Sequence, residues 1–526
     1  MRTHLLDLLL DQAAARGDAP AITHGDRTVD YATLTDEVLR LATGLGAIGV
    51  ARSDRVAVLA EKRVETVAAL WATAAAGGIF VPVNPVLKPD QVAHILSDCD
   101  VRVLVTTAVR WAVVAEAVKR CATLRAVVLV DGPPDPATDP DLHAYDPTFH
   151  AYGDLLASPA ADRPPRVDLD LAAILYTSGS TGRPNGVVLS HRNLIVGAES
   201  VSSYLGNDAD DVLLAALPIS FDAGLSQLTT AFAVGAHVVL VNYVFQRDVV
   251  RLCERHGVTG LTCVPPLWVQ LVDVEWPEAA RRSLRYFANT GVRMPLSTLG
   301  RLRALFPRAR PFLMYGLTEA FRSTYLDPAQ VDARPDSIGK AIPDAEILVV
   351  RPDGHLAGPG EEGELVHRGP LVAQGYWNDP VRTAERFRPV PGPRDDWRQP
   401  ELAVLSGDTV RVDDEGYLYF VGRRDEMIKT SGYRVSPTEV EEVAYDSGLV
   451  RDAVALGVPD ERLGERILLV VSPTGGGDLD EEQLRAILRQ SLPVFMVPSS
   501  IAVLPDLPRS ANGKLDLVRI RTEVAP

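Results

Sequence analysis

The run YTSGSTGRPNGVVLS at 176–190 holds the residue types an anion cradle needs. Thr177, Ser178, Ser180 and Thr181 bring hydroxyls. Gly179, Gly182 and Gly186 let the backbone approach a ligand with no Cβ in the way. Successive backbone N–H groups with hydroxyls between them make a concave nest for phosphate. The comparison with the Walker A loop, G-x-x-x-x-G-K-[ST], fails: the spacing differs, and Asn185 stands where a lysine would be expected. The segment therefore reads as a phosphate loop of another kind or as a flexible linker. The apolar run LAAIL before it reads as a buried strand, and with VVLSHRNL after it this argues against the linker. Two further segments place a strand directly before polar or glycine residues. LRYFANTG ends on Asn289, Thr290 and Gly291, and RPFLMYGLTEA ends on Tyr315, Gly316, Thr318 and Glu319. Ligands of open α/β sheets collect at the carboxyl ends of strands. The three strand ends are thus expected to face one site.

The elements that must carry these ends follow an α/β pattern. Residues 1–50 read as two helices around a short hairpin. DRVAVL, GGIFVPVNP, RVLVTT and AVVLVDG read as strands, with VETVAALWATAAAG and QVAHILSDCDV as helices between them. After the glycine-rich loop, a helix over HRNLIVGAESVSSYL precedes strands VLLAALP, AHVVLVN and GLTCVP, with SQLTTAFAVG and RDVVRLCERHG helical. Strands alternating with helices predict doubly wound sheets. Residues 131–148, rich in Pro and Asp, read as an exposed loop. From about 345 the texture turns to short alternating strands with DG and EG turns, the pattern of a small β-barrel or meander. Past Gly422, VSPTEVEEVAYDSG starts a helix with Ser436 as N-cap and Pro437 in the first turn. The strands and helix that follow make a compact α+β unit. The expected division is a large α/β domain, 1–424, and a small α+β domain, 425–526.

Bulk composition removes several function classes. At 526 residues the chain exceeds what one core usually supports. A formal charge of −16 argues against general nucleic-acid or anionic-membrane binding. Cys99, Cys121, Cys253 and Cys263 are scattered without a C-x-x-C, as in a reduced cytoplasmic protein. The N-terminus lacks a signal-type cleavage site. No run reaches the roughly 18 apolar residues that span a bilayer.

Five strings taken together, YTSGSTGRPNGV, MYGLTEA, SGDTV, GRRDEMIKTSGYRVSPTEVEE and PRSANGKLD, resemble the adenylate-forming enzyme superfamily in order and spacing. That superfamily holds acyl-CoA synthetases, luciferases and the adenylation domains of nonribosomal peptide synthetases. The resemblance implies a large N-terminal domain, a mobile C-terminal lid, and ATP with Mg²⁺. A carboxylate attacks the α-phosphorus with loss of pyrophosphate, and a thiol then displaces AMP. Such transfer needs positioning and electrostatics more than covalent help. By the resemblance, Thr177, Ser178, Gly179, Ser180, Thr181 and Gly182 cradle the pyrophosphate portion. Asn289, Thr290 and Gly291 approach the adenine edge, Tyr315 stacks on it beside Gly316, and Thr318 contacts phosphate. Glu319 is the Mg²⁺ carboxylate, Asp408 accepts from the ribose hydroxyls, Arg423 is a second ribose contact, and Phe420 lines the nucleotide site. Lys514 bridges the substrate carboxylate and the nucleotide. Asp425 sits at the hinge, and Lys429 and Gly432 line the thiol tunnel. Lys514, Glu319, Thr177 and Lys429 are thereby the catalytic candidates.

The acid pocket is read from LPISFDAGLSQL. Where many acyl-CoA ligases have a histidine, this chain has Phe221 followed by Asp222, as peptide-synthetase adenylation domains do. There the Asp pairs with the substrate's amino group, since an ammonium in a dry pocket needs a counter-charge. The alternative is that Asp222 is a helix N-cap. By the same resemblance the walls are Ala223, Ser226, Cys263, Ala288, Thr290, Met314, Arg322 and Ser323. Ala223 and Ala288 leave room, Met314 closes the floor, and Arg322 either binds an acidic side chain or turns to solvent. The expectation is a small amino acid passed to the phosphopantetheine of a carrier protein acting in trans, as in natural-product (antibiotic) assembly. A stand-alone group of acyl-CoA ligases associated with exosortase loci also resembles FANTGVRMP and FLMYGLTEAFRSTYL, and points to coenzyme A as the acceptor. A non-catalytic adenylate binder is the remaining alternative, because of Asn185.

Overall fold

The computed structural model describes residues 2–132, 147–160, 167–177, 184–291, 293–390, 397, 400–423, 428–430, 433–460, 463–476, 479–492, 494–510 and 513–524. Ser178, Gly179, Ser180, Thr181, Gly182, Asp425 and Gly432 lie outside these, as does most of the 131–148 loop. So does the expected 424/425 boundary.

Two large sheets enclose a pair of helices. The first sheet orders its eight strands as Gly375–Tyr376, Asn185–Ser190, Leu171–Thr177, Ile79–Pro82, Arg55–Leu59, Val101–Thr106, Ala126–Leu129 and Thr148–Ala151. Its pairings are parallel from Leu171–Thr177 outward to Thr148–Ala151. The second sheet has at its centre the parallel neighbours His237–Leu240, Val212–Ala215, Gly260–Cys263, Tyr286–Asn289 and Arg310–Tyr315. Val64–Ala76 is apolar nearly all round, and Asp222–Val234 is buried continuously from Gly224 to Ala233, including Ser226, Gln227, Thr229 and Thr230. Trp71 on one meets Phe232 on the other edge-to-face, with ring centroids 5.2 Å apart. Each such buried ring is worth about 1.5–3 kcal/mol of burial.

The β-rich part forms a meander of Glu346–Val350, Glu362–Arg368, Leu402–Val412 and Leu418–Arg423 around Val349, Leu365, Val410 and Leu418. Ser337–Ala341 joins it edge-on to the second large sheet, through Thr324–Leu326. The C-terminal unit packs Pro437–Asp446 and Glu481–Ser491 on its own sheet around Val440, Leu469 and Leu484. Ser436 is the N-cap of Pro437–Asp446, although its hydroxyl donates to Val421 O and not to a helix N–H. Arg293 and Glu442 pair across the two units at 2.5 Å. Among the described helices of ten residues or more, Ala108–Val118 and Leu296–Leu305 have no counterpart in the sequence pattern, and short helices such as Pro265–Leu271 and Leu517–Val524 have none either. Among the described residues no helix is long and apolar enough to cross a membrane.

Candidate active site

Parallel register sets the site. Cys263, Asn289 and Leu313 are direct neighbours across three strands, so the residues just beyond them emerge together at one edge. Gly291 turns there with φ +89°. A Cβ at that position would lie 3.8 Å from Lys514 Cε, so the lysine of the C-terminal unit already reaches this rim. Beside Gly291, the Thr290 hydroxyl is buried and has no hydrogen-bond partner among the described residues.

Tyr315 and Asp408 also meet. The Tyr315 hydroxyl donates to Asp408 Oδ2 at 2.5 Å, and its ring lies 6.4 Å from that of Phe420. Asp408 faces Arg423 across the paired strands Leu402–Val412 and Leu418–Arg423. Of Arg423 and Lys429 only the backbone is described.

Thr177 closes the strand Leu171–Thr177 and sits opposite Asn185 in the antiparallel partner. This strand end belongs to the other large sheet, and residues 373–377 tie it to Glu319. Gly375 and Tyr376 pair with Val188 and Val187. Ala373 N–H donates to Glu319 O at 2.8 Å, and the Tyr376 hydroxyl donates to Glu319 Oε1 at 2.5 Å. Burial and the adjacent Glu319 raise the Tyr376 phenol well above its usual range, so it stays a donor. Among the described residues no three His, Cys, Asp or Glu side chains cluster as a metal cage. A single oriented carboxylate fits Mg²⁺ shared with phosphate oxygens. Tyr376 was not foreseen; its signal is an aromatic pair, Tyr376–Trp377, inside an otherwise polar turn.

The acid pocket departs from expectation at its charged residue. Asp222 is the first residue of helix Asp222–Val234 and Phe221 is the N-cap, so Asp222 does not cap. Nor does it stand alone. Arg322 Nη1 donates to Asp222 Oδ2 at 3.2 Å, and Thr318 Oγ1 donates to Oδ1 at 3.2 Å. Arg322 does not turn to solvent: its side chain is 3% exposed and that of Asp222 15%. Helix Asp222–Val234 approaches this closely because residue 224 is glycine; a Cβ there would fall 1.9 Å from Pro218 O.

Behind the pair lies a cavity of about 20 Å³, walled by Ala223, Ser226, Thr230, Tyr286, Met314 and Arg322 among others. The Tyr204 hydroxyl donates to Met314 Sδ at 2.9 Å and fixes that wall. Cys263 is not in it. Strand alternation turns Thr262 to the cavity and Cys263 to the opposite core with Leu214 and Trp268. Burial lifts the Cys263 thiol well above its usual range, so it is inert there. Ala288 is buried, and its carbonyl accepts from Trp268 Nε1. Ser323 is fully buried and its hydroxyl pairs with His367 Nδ1 at 2.9 Å, away from the cavity walls. Phe221, Ala288 and Thr290 are likewise outside the cavity lining.

Lys62, which no sequence pattern marks, holds the end of strand Val212–Ala215, on the way to Asp222. Its buried Nζ donates to the carbonyls of Ala215, Ala216 and Leu217 at 2.7, 3.0 and 3.2 Å. Burial pulls the ammonium down to about 7. Three carbonyl acceptors matched to three N–H donors favour the charged form.

Comparison with known proteins follows the same lines. The AMP-binding enzyme family model matches residues 9–377, and the model for the C-terminal domain of AMP-binding enzymes matches 439–514. A feruloyl-CoA synthase of Amycolatopsis sp is 33% identical over 503 residues, covering 94% of each chain. An indoleacetate–CoA ligase of Aromatoleum aromaticum is 32% identical over 511 residues, 96% of this chain and 95% of that one. The ATP-bound structure of MatB from Rhodopseudomonas palustris superposes with a TM-score of 0.84 at 27% identity, over 99% of both chains.

Proposed function

Since the chain belongs to the AMP-binding enzyme family, we propose that it is an AMP-forming acid–thiol ligase that makes a coenzyme A thioester of a carboxylic acid. One observation carries the reading. Asp408 and Lys514 come from distant segments, yet one contacts Tyr315 and the other reaches Gly291, at the edge where Asn289 and Tyr315 emerge, and Glu319 follows Tyr315 closely along the chain.

In this reading the acid's carboxylate oxygen attacks the α-phosphorus of ATP and pyrophosphate leaves. The thiolate sulfur of coenzyme A then attacks the acyl carbon, and AMP leaves with the bridging oxygen. Asp408 accepts from the ribose hydroxyls, displacing the Tyr315 hydroxyl, whose ring then covers adenine. Thr290 Oγ1 and Thr177 donate to the nucleotide. Lys514 holds the incoming carboxylate against the phosphate and offsets charge as it builds. Glu319, held by Tyr376, would bind Mg²⁺, which supplies charge neutralisation at the phosphates. Thr177 ends the strand that leads into the proposed pyrophosphate cradle, Ser178 to Gly182. Lys429 and Gly432 serve the thiol step after lid rotation about Asp425.

An amino-acid substrate with a carrier-protein acceptor rested on an available Asp222. The Arg322 partner occupies that carboxylate, and the feruloyl-CoA synthase and the indoleacetate–CoA ligase support coenzyme A as the acceptor. The test is product analysis with ATP, Mg²⁺, a panel of carboxylic acids and coenzyme A. The expected result is AMP, pyrophosphate and an acyl-CoA that depends on the acid. Turnover of ATP to ADP, or thioester formed only on a carrier protein, would refute the proposal.

A further inference from the structure

The reading above leaves the acid open, and the buried Asp222–Arg322 pair narrows it. We infer that the acid carries no charge beyond its reacting carboxylate and presents a neutral hydrogen-bond acceptor, a hydroxyl or carbonyl oxygen, to Arg322. This rests on the proposed ligase reaction and specifies its substrate class.

Charge balance is the first argument. Asp222 and Arg322 sit 3.2 Å apart with side chains 15% and 3% exposed, and they cancel each other in place. A second carboxylate on the substrate would make this buried group net negative, and an ammonium would make it net positive. Uncompensated buried charge is strongly disfavoured. An uncharged tail leaves the balance intact.

The second argument is an unmet donor. Arg322 Nε is buried with no hydrogen-bond partner among the described residues, while Nη1 serves Asp222 and the Phe321 carbonyl. Native proteins rarely leave such a donor unsatisfied, and a ligand acceptor is one resolution. The cavity beside it is mixed in character: Ser226 and Thr230 bring hydroxyls, and Ala223 and Met314 bring apolar surface. At about 20 Å³ it admits one small polar group.

The backbone supplies the third. Phe321 holds φ 59° and ψ −55°, a conformation that bulky L-residues avoid. Its ring is fully buried, and a Cβ on Gly197 would lie 2.5 Å from Phe321 Cδ1. The packed ring thus locks a strained turn that carries Arg322 into the cavity. Strain kept by packing at a ligand site is a mark of positioning.

The experiment is acid-dependent ATP–pyrophosphate exchange by the full chain with two matched sets. One set is propionate, lactate, pyruvate, alanine and malonate; the other is benzoate, salicylate and phthalate. Lactate or pyruvate should exceed propionate, or salicylate exceed benzoate, by about tenfold in kcat/KM, the worth of one charge-assisted hydrogen bond. Alanine, malonate and phthalate should fall below the neutral acids. Asp222→Asn should shift the ranking about tenfold toward malonate or phthalate, and Arg322→Met toward alanine. Rankings within one variant do not depend on how much of it folds, and the parent ranking stands without the variants. Alanine, malonate or phthalate as the best parent substrate of its set would overturn the inference, as would propionate and benzoate both leading their sets. Either result would leave the ligase reaction intact. Absence of exchange with every acid would overturn the reaction itself, and the inference with it.

Discussion

Lys514→Ala isolates the first half-reaction. The Lys514 side chain reaches the rim at Gly291, next to Thr290 and one strand from Tyr315. An ammonium about 4 Å from a developing oxyanion gains up to about 4 kcal/mol at an effective dielectric near 20. Removing a single donor of this kind from a preorganised site costs about 10²–10³ in kcat. ATP–pyrophosphate exchange by the variant should therefore fall by about 10²–10³. The thiol step uses a different set of groups in the proposed division, so thioester formation from preformed acyl-adenylate should stay within about threefold of the parent. The assay pair is exchange on one side and acyl-CoA formation from synthetic adenylate on the other. Exchange near the parent rate would refute the role of Lys514. An equal loss in both assays would refute the division of labour between Lys514 and the Lys429 loop.

Three other outcomes follow. His367 is fully buried and held near 4 by loss of hydration, against an ordinary 6.5. The native state keeps it neutral while the unfolded chain takes up a proton, so stability falls as pH drops from about 6.5 to about 4, by up to about 3 kcal/mol for this group. Urea melts of His367→Gln should show a shallower acid limb than the parent, and an unchanged slope would contradict this. Tyr376→Phe frees Glu319 Oε1 and should raise the Mg²⁺ concentration for half-maximal exchange by about 10–100-fold, with the acid ranking unchanged. An unaltered Mg²⁺ requirement would detach Tyr376 from the metal. Asn185→Lys places a cation opposite Thr177 and should change the KM for ATP or the turnover by a few-fold, without altering acid preference. Equal kinetics would mean that position 185 points away from the nucleotide.

Local patterns carried most of this fold. The strands at 171–177, 286–289 and 310–315 were readable because each is an apolar run ending on glycine or polar residues. Helices 108–118 and 296–305 were not read, being short stretches in which alanine, valine and leucine give no clean boundary. In the pocket, residue types were legible and directions were not. The resemblance implies Cys263 in the wall, but a period of two residues along a strand puts Thr262 there instead. Asp222 looks like a free counter-charge in the sequence, because nothing local announces that Phe321 adopts a positive φ and swings Arg322 onto it. Tyr376 and Lys62 act across long sequence separations, on Glu319 and on the 215–217 carbonyls, and no spacing rule encodes either.

The central claim is that a carboxylate oxygen of the acid attacks the α-phosphorus of ATP and leaves with AMP. An acid labelled with heavy oxygen in its carboxylate tests it directly. After complete conversion with ATP, Mg²⁺ and coenzyme A, mass spectrometry should find one labelled oxygen in AMP and none in pyrophosphate. Label recovered in inorganic phosphate alongside ADP, or AMP free of label, would contradict the account.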